Sequence, residues 1–507
     1  MLARKSALII ATEILNGALG YVALFFITRY MEPADYGIVA FAIGFVSLFL
    51  VFENMGYHNS HIKKVSEGKD LGICNGTFLL SKIVFTILLA VVVVSSLFIW
   101  KNVLGRGFET SEHEIAIYII LVYYVLRSLS YFFEVTFRAK REIAKKQIPL
   151  FLETMVRVVA TIYVALAGYG ALALAFTYVI GDIALFFSGL FLFKGNPIKK
   201  PSKQYFKEYT YFAIPLILVV VSATVMNNID KVFIQLFWSA SDVGYYAAGF
   251  KLSNFINMFT LALITLLFPT YSALHSKNDL KRIVHLTYQS ERYISMIAFP
   301  MVFGMVILAE PATFILLSGW TPSVPILQIL PFYALLGGLE APYQSQFLGT
   351  NRPKLTRNRV LIMVITNIFL NLILVPKDIQ SLGLTMMGLG AKGAAIATVI
   401  SFGIGLIYSR FFAWKITGVK GNWRILLHAL AASIMVLFLY ILLYHFGYID
   451  FILRWYHLLG VSLLGLGIYI FFLYLLKEFT KDDFKFLLDT LNIKKMINYI
   501  IDEFRNR

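Results

Sequence analysis

Cysteine occurs once in these 507 residues, at Cys74. That excludes an internal disulfide and any cysteine-built metal cluster, and leaves Cys74 as a packing residue. Charge is scarce as well: charged residues are 14% of the chain, against 59% hydrophobic, and the mean hydropathy is +0.75. A soluble domain with so little polar surface could not stay dissolved, whereas a lipid-facing bundle needs this balance. Long polar gaps are missing too, so no extramembrane domain is inserted between the apolar runs. Catalytic signatures are absent: no His-Glu-x-x-His, no phosphate-binding glycine-lysine loop and no glycine-rich dinucleotide turn occurs. The chain is therefore expected not to be an enzyme and not to hydrolyse ATP by itself. The histidines (His58, His61, His113, His275, His428, His445, His457) are scattered, mostly at the ends of apolar runs, where solvated side chains are expected.

What is present is apolar length. Fourteen segments read as membrane spans, near 7–28, 38–56, 73–100, 115–137, 148–167, 171–193, 209–237, 244–273, 288–309, 324–349, 359–376, 390–412, 425–446 and 455–476. Each supplies the roughly 20 residues needed to cross a hydrocarbon core about 30 Å thick. The net charge of +17 could suggest nucleic acid as a partner, but the 45 lysines and arginines are distributed by gap. With both termini and the even-numbered gaps on one side, that side holds 33 of them, the opposite side 5 (Arg29, Lys101, Arg106, Lys377, Arg454), and the spans 7. By the positive-inside rule the rich side is cytoplasmic, so the expectation is a multi-pass protein of the cell membrane with cytoplasmic N- and C-termini. The charge sets topology and attracts anionic lipid headgroups; nucleic acid is not an expected partner. The first apolar segment is too long for the core of a cleavable leader and is expected to remain as the first helix. The last segment, 477–507, places Phe484, Leu487, Leu488, Leu491 and Met496 at near-helical spacing among charges, which predicts an amphipathic helix on the cytoplasmic surface.

Three landmarks recur at an interval of six spans. Pro33-Ala34-Asp35-Tyr36-Gly37 precedes span 2, and Ser241-Asp242-Val243-Gly244-Tyr245-Tyr246 precedes span 8. Arg138-Ala139-Lys140-Arg141 ends span 4, and Asn351-Arg352-Pro353-Lys354 follows span 10. Gly168-Tyr169-Gly170-Ala171 precedes span 6, and Gly390-Ala391-Lys392-Gly393-Ala394 opens span 12. An even number of helices between copies keeps their orientation, so the repeat is parallel, with substrate expected between the halves. The expected fold class is all-α, a polytopic membrane protein of 14 transmembrane helices: two pseudo-symmetric six-helix bundles plus two extra C-terminal helices. The expected divisions are 1–205 and 206–420 for the halves, 421–476 for helices 13–14 and 477–507 for the tail.

Taken in this order, Asn227-x-x-Asp230-Lys231, Asp242-x-Gly244-Tyr245-Tyr246 and Gly388-x-Gly390-Ala391-Lys392-Gly393-Ala394-Ala395 resemble the polysaccharide-exporter branch, the Wzx-type flippases, of the multidrug/oligosaccharidyl-lipid/polysaccharide flippase superfamily. The resemblance runs over essentially the whole chain. It implies alternating-access transport of a polyprenyl-pyrophosphate-linked oligosaccharide for cell-surface glycan assembly. Partners would be that substrate, membrane lipids and other glycan-assembly membrane proteins. It implies no cofactor, with energy drawn from a proton or sodium gradient or the membrane potential. It also implies that spans 1, 2, 7 and 8 line the central cavity. A drug/cation antiporter of the same superfamily is the alternative; a membrane-embedded glycosyltransferase or polymerase lacks its usual large catalytic loop here.

Ionisable residues at mid-membrane cost about 2.5–3.5 kcal/mol on insertion scales, so each needs a partner, water or substrate. On span 4, Tyr123, Arg127, Tyr131, Glu134 and Arg138 follow three- and four-residue steps and share one face. Arg127 either binds an anionic headgroup through its planar fork of donors or pairs with Glu134 or a neighbouring helix. Lys231, Lys251, Asn228 and Asn254 on spans 7 and 8 are cavity candidates for phosphate and sugar, and Asp230 and Lys251 either serve substrate or neutralise each other. Glu13 either binds a coupling ion or pairs with a cytoplasmic lysine. Glu153 and Arg157 stand four apart, as an intrahelical pair joined by Asp182. Glu340 with Gln344 is expected to face the C-terminal half of the cavity.

Overall fold

In the computed structural model of the protein, residues 2–103, 105, 107–257, 267–379 and 383–480 are described. They are almost entirely helical. The described strands are one antiparallel pair, β1 (Asp378–Ile379) and β2 (Leu384–Thr385). Among the described residues, eleven helices are long and apolar enough to cross a membrane, or twelve when the pair Pro33–Ser47 and Val51–Ser66, bent by 47°, counts as one span. The protein is therefore an all-α polytopic membrane protein. Expected span 7 coincides with a 35-residue helix, Lys203–Phe237. Expected span 8 contains residues 258–266, outside the described ones.

The first helices are α1 (Leu2–Tyr30), α2 (Pro33–Leu48), α3 (Val51–Asn54), α4 (Tyr57–Ser66), α5 (Leu71–Phe98), α6 (Ser111–Ala139), α7 (Ile143–Leu166), α8 (Ala171–Phe193), α9 (Lys203–Phe237) and α10 (Ala240–Ser253). There follow α11 (Leu267–Ser276), α12 (Leu280–Ile307), α13 (Ala309–Leu316), α14 (Val324–Ile329), α15 (Pro331–Gly349), α16 (Pro353–Leu374), α17 (Gly390–Thr417), α18 (Ile425–Tyr440) and α19 (Trp455–Leu475). They form two compact units. One holds Leu8–Ala248 with Met363–Ala397; the other holds Gly249–Ile362 with Thr398–Arg507 and Met1–Ala7. In the first unit α8 packs along α6 and α7, and α2 packs against α6, α8 and α9. In the second, α12 is the central element, against α15, α18 and α19. Large apolar side chains such as Ile87, Val91, Phe187 and Phe191 point outward, as lipid requires.

Two of the repeated landmarks meet inside the first unit. A Cβ added at Gly37 would lie 1.7 Å from the Ala240 carbonyl oxygen, and one at Gly244 would lie 2.1 Å from the Pro33 oxygen. Only glycine lets these backbones approach so closely. The aspartates of the same landmarks cap the turns: Asp35 accepts from the Glu32 and Ala171 amides, and Asp242 from the Ser239 amide and hydroxyl. On the loop before α5, Asp70 accepts from the Ile73 amide, and the hydrogen bond from Lys199 holds its carboxyl below the usual range.

Several expectations about polar residues are corrected. His61, His113 and His428 are fully buried rather than solvated. His61 stands between the Tyr209 and Thr136 hydroxyls and stacks on Phe78; His428 meets the Ser295 hydroxyl. Their helices pack tightly against neighbours, so a ring at a span end finds protein rather than water. Arg359 and Arg410, at the ends of expected spans 11 and 12 and included among the 33 cytoplasmic charges, are helical and bind buried acids. The expected amphipathic helix of the tail falls, from residue 481 on, outside the described residues.

Candidate functional site

The polar face of α6 organises the first unit. Arg127 Nη1 donates to Asp182 Oδ1 of α8 at 2.9 Å, so the arginine pairs across to the adjacent helix and not to Glu134 on its own. Tyr131, one turn on, is the hub. The Arg127 guanidinium lies 5.6 Å from its ring, the Lys82 ammonium 5.4 Å, and the His58 ring 5.1 Å. Lys82 ion-pairs with Glu53, and both are buried. The left-handed residues Met55 and Gly56 turn the chain sharply after α3, which brings Glu53 and His58 together. Glu134 is buried, and its Oε1 has no hydrogen-bond partner among the described residues. Arg138 reaches the exposed end of the helix. On α7, Arg157 Nε donates to Glu153 Oε1 at 2.8 Å. Asp182, expected beside that pair, instead bonds to Arg127.

Asp230 of α9 accepts from the Tyr246 hydroxyl at 2.5 Å and from Asn371 Nδ2 at 2.8 Å, and Asn371 is tied in turn to Asn367. The Lys231 stem packs on Gly44 of α2. Asn228 Nδ2 donates to the Thr224 carbonyl of its own helix. Lys251 is half-buried on α10. Asn254 is exposed, and its Oδ1 accepts from Tyr333 and Asn257. Glu13 is exposed on α1.

In the second unit three acids sit in closed polar knots. Glu340 accepts from Arg359, Ser409 and Gln344. Glu291 accepts from Arg410, from the Tyr343 hydroxyl at 2.6 Å and from the Asn422 amide. Glu478 accepts from Arg292 and Arg424. The sequence reading singled out neither Lys82 nor these last two knots. Lys82 carried a usable signal: it is a lysine in mid-span with no acid on its own helix.

A common asymmetry runs through these pairs. The Arg127 side chain is 17% exposed and Asp182 0%; Arg157 is 20% and Glu153 7%; Arg292 is 15% and Glu478 2%; Arg410 is 35% and Glu291 0%. In these four pairs the acid is the more deeply buried partner; in Lys82–Glu53 both members are buried. Arg127 uses one N–H on Asp182, and its other donors make no hydrogen bond with described residues. A guanidinium with unused donors beside a buried carboxylate can take a second, anionic partner through its planar fork.

The description of the polysaccharide biosynthesis protein family matches residues 26–325. The chain belongs to that family. Among its relatives is a probable low-salt glycan biosynthesis flippase, Agl15, of Haloferax volcanii, 20% identical over 83% of this chain and 85% of that protein. The fold is similar to that of the lipid II flippase MurJ in an inward closed conformation, with a TM-score of 0.70 and 16% identity, covering 91% of this chain and 97% of the other. It is also similar to an inward-facing multidrug resistance MATE family transporter of the MOP superfamily, with a TM-score of 0.63, 12% identity and coverage of 80% and 95%. Membership of this family, with the apolar helices, agrees with the polysaccharide-exporter resemblance read from the landmarks.

Proposed function

We propose that this protein is a flippase that moves a polyprenyl-pyrophosphate-linked oligosaccharide across the cytoplasmic membrane by alternating access, for cell-surface polysaccharide or glycan assembly. Sugar hydroxyls and phosphate charge cannot be left bare in hydrocarbon, so the headgroup needs a polar path while the isoprenoid tail stays in lipid. The observation that carries this reading is Arg127, held by buried Asp182 through one N–H with its other donors unused among the described residues. A drug/cation antiporter would need acids, not a guanidinium, to meet its cargo.

In this reading Arg127, supported by Tyr131 and Arg138, and the lysines Lys231 and Lys251 are the candidates for meeting pyrophosphate. Asn228 and Asn254 meet sugar hydroxyls. Glu13, Glu134 and Asp230 are the candidates for a coupling proton or sodium ion, while Glu153–Arg157 and Glu340–Arg359 hold helices in place. The architecture proposed is fourteen spans, the twelve recognised by length plus spans 7 and 8 at 209–237 and 244–273, divided six, six and two at residues 205 and 420, with both termini cytoplasmic. The reciprocal approach of Gly37 and Gly244, equivalent positions of the repeat, supports that division.

The test is a proteoliposome assay that follows a labelled polyprenyl-pyrophosphate sugar from one leaflet to the other. Movement that needs the protein and is lost in Arg127→Ala supports the reading. Failure to move it, with transport of organic cations, replaces it with the antiporter.

A further inference from the structure

A pocket of about 350 Å³ opens at the C-terminal end of α9, lined by Trp100, Phe108, Glu109, Gln235 and Trp238 among others. Its volume is within the range of small-ligand sites. The Trp100 and Phe108 rings lie parallel, 8° apart, with centroids 5.9 Å from each other. Phe41 packs against both from behind, and His113 stacks on Phe108. The Trp238 indole is fixed too: its Nε1 donates to the Val375 carbonyl at 2.8 Å, and Lys377 sits over its ring at 4.7 Å. The aromatic walls are therefore held in orientation before any ligand arrives.

Trp100 Nε1 is buried and makes no hydrogen bond among the described residues. Gln235 is met by His113, whose Nδ1 contacts the Thr110 hydroxyl. Glu109 binds the Ala240 amide through Oε2 at 2.8 Å, which leaves Oε1 as an acceptor. Buried polar atoms are nearly always satisfied, so a donor left unpaired beside aromatic faces, with the second oxygen of Glu109 on the same pocket, calls for a ligand that supplies both complements.

We infer that this pocket binds a pyranose ring. A sugar has an apolar C–H face for an aromatic wall, and hydroxyls that both donate and accept. Trp100 Nε1 would donate to a ring or hydroxyl oxygen, while Glu109 Oε1 accepts from a hydroxyl. The described lining residues include one acid and no base, with Lys377 over the Trp238 ring beside them, so a neutral or N-acetylated sugar fits. In the orientation proposed above the pocket lies at the external mouth. The inference rests on the flippase reading only in naming the ligand as part of the exported glycan, which would meet this pocket as it leaves.

The test uses the full chain in lipid nanodiscs and follows tryptophan fluorescence during titration with methyl glycosides of neutral hexoses and N-acetylhexosamines, with tetraethylammonium as a second ligand class. Saturable binding in the millimolar range is expected for sugars and none for the cation. Trp100→Phe keeps the stacking ring and removes the N–H; it should bind roughly tenfold more weakly, about one hydrogen bond's worth. Glu109→Gln should lose a similar factor, because its amide oxygen keeps the Ala240 contact while the second acceptor becomes a donor, with an unchanged melting temperature showing that it folds. Absence of a saturable response to every sugar, unchanged affinity in both variants, or binding of tetraethylammonium instead would overturn the inference. Transport of lipid-linked glycan without sugar binding here would sink this inference alone. Sugar binding here without transport would sink the flippase reading alone.

Discussion

Arg127 offers a way to separate a structural charge from one that handles substrate. Asp182 is wholly buried, and Arg127 is the only partner of its carboxylate, at 2.9 Å, among the described residues. Replacing Arg127 with Gln leaves that carboxylate without its counter-charge, at a cost of about 3–5 kcal/mol if it stays ionised. The single variant should therefore unfold at lower temperature and also fail to transport, which by itself distinguishes nothing. Adding Asp182→Asn turns the charged pair into a neutral amide pair at the same positions and removes the stranded charge. Most of the lost stability should return, because the energetic problem was an unpaired ion and not lost packing volume. Transport should not return, because the unused donors of the guanidinium are gone. Thermal unfolding in detergent and the proteoliposome flip assay read the two quantities separately. A double variant that melts like the parent and transports like it would refute the assignment of Arg127 to the substrate path and leave it a structural cation.

Lys82→Met should destabilise the first unit by a similar 3–5 kcal/mol, and a second change, Glu53→Leu, should recover much of it, since a buried ion pair is replaceable by apolar side chains; melting curves of both variants check this. Gly37→Ala should lower the melting temperature, because its Cβ would overlap the Ala240 carbonyl oxygen at 1.7 Å. Gly244→Ala should do the same, and the double change should fall short of the sum, since both act on one contact. Lys251→Ala should abolish flipping with normal amounts of protein in the membrane, measured by quantitative blotting beside the flip assay; full transport would remove it from the proposed site.

Much of the site was legible as a set of faces. The stripe on α6 was readable because a helix brings positions three and four apart onto one side, and Glu153–Arg157 because the pair is four apart on one helix. What could not be read was the choice among partners on different helices. Arg127 had Glu134 on its own helix at a plausible spacing, yet it bonds to Asp182, 55 residues away, because α8 packs along α6. The buried histidines and the arginines of α16 and α17 were misplaced for the same reason: charge counting along the chain registers where a residue stands relative to a span, not what packs against it.

Apolar length and the placement of lysine and arginine were enough to specify a helical membrane protein, since in lipid the backbone must satisfy its own hydrogen bonds and helix does so within each segment. The recurrence of three landmarks carried the repeat, and their order carried the family resemblance. Which buried charge meets which was decided only by tertiary packing. Those contacts join residues dozens to more than a hundred positions apart, and their energies depend on burial and geometry, which no local pattern encodes.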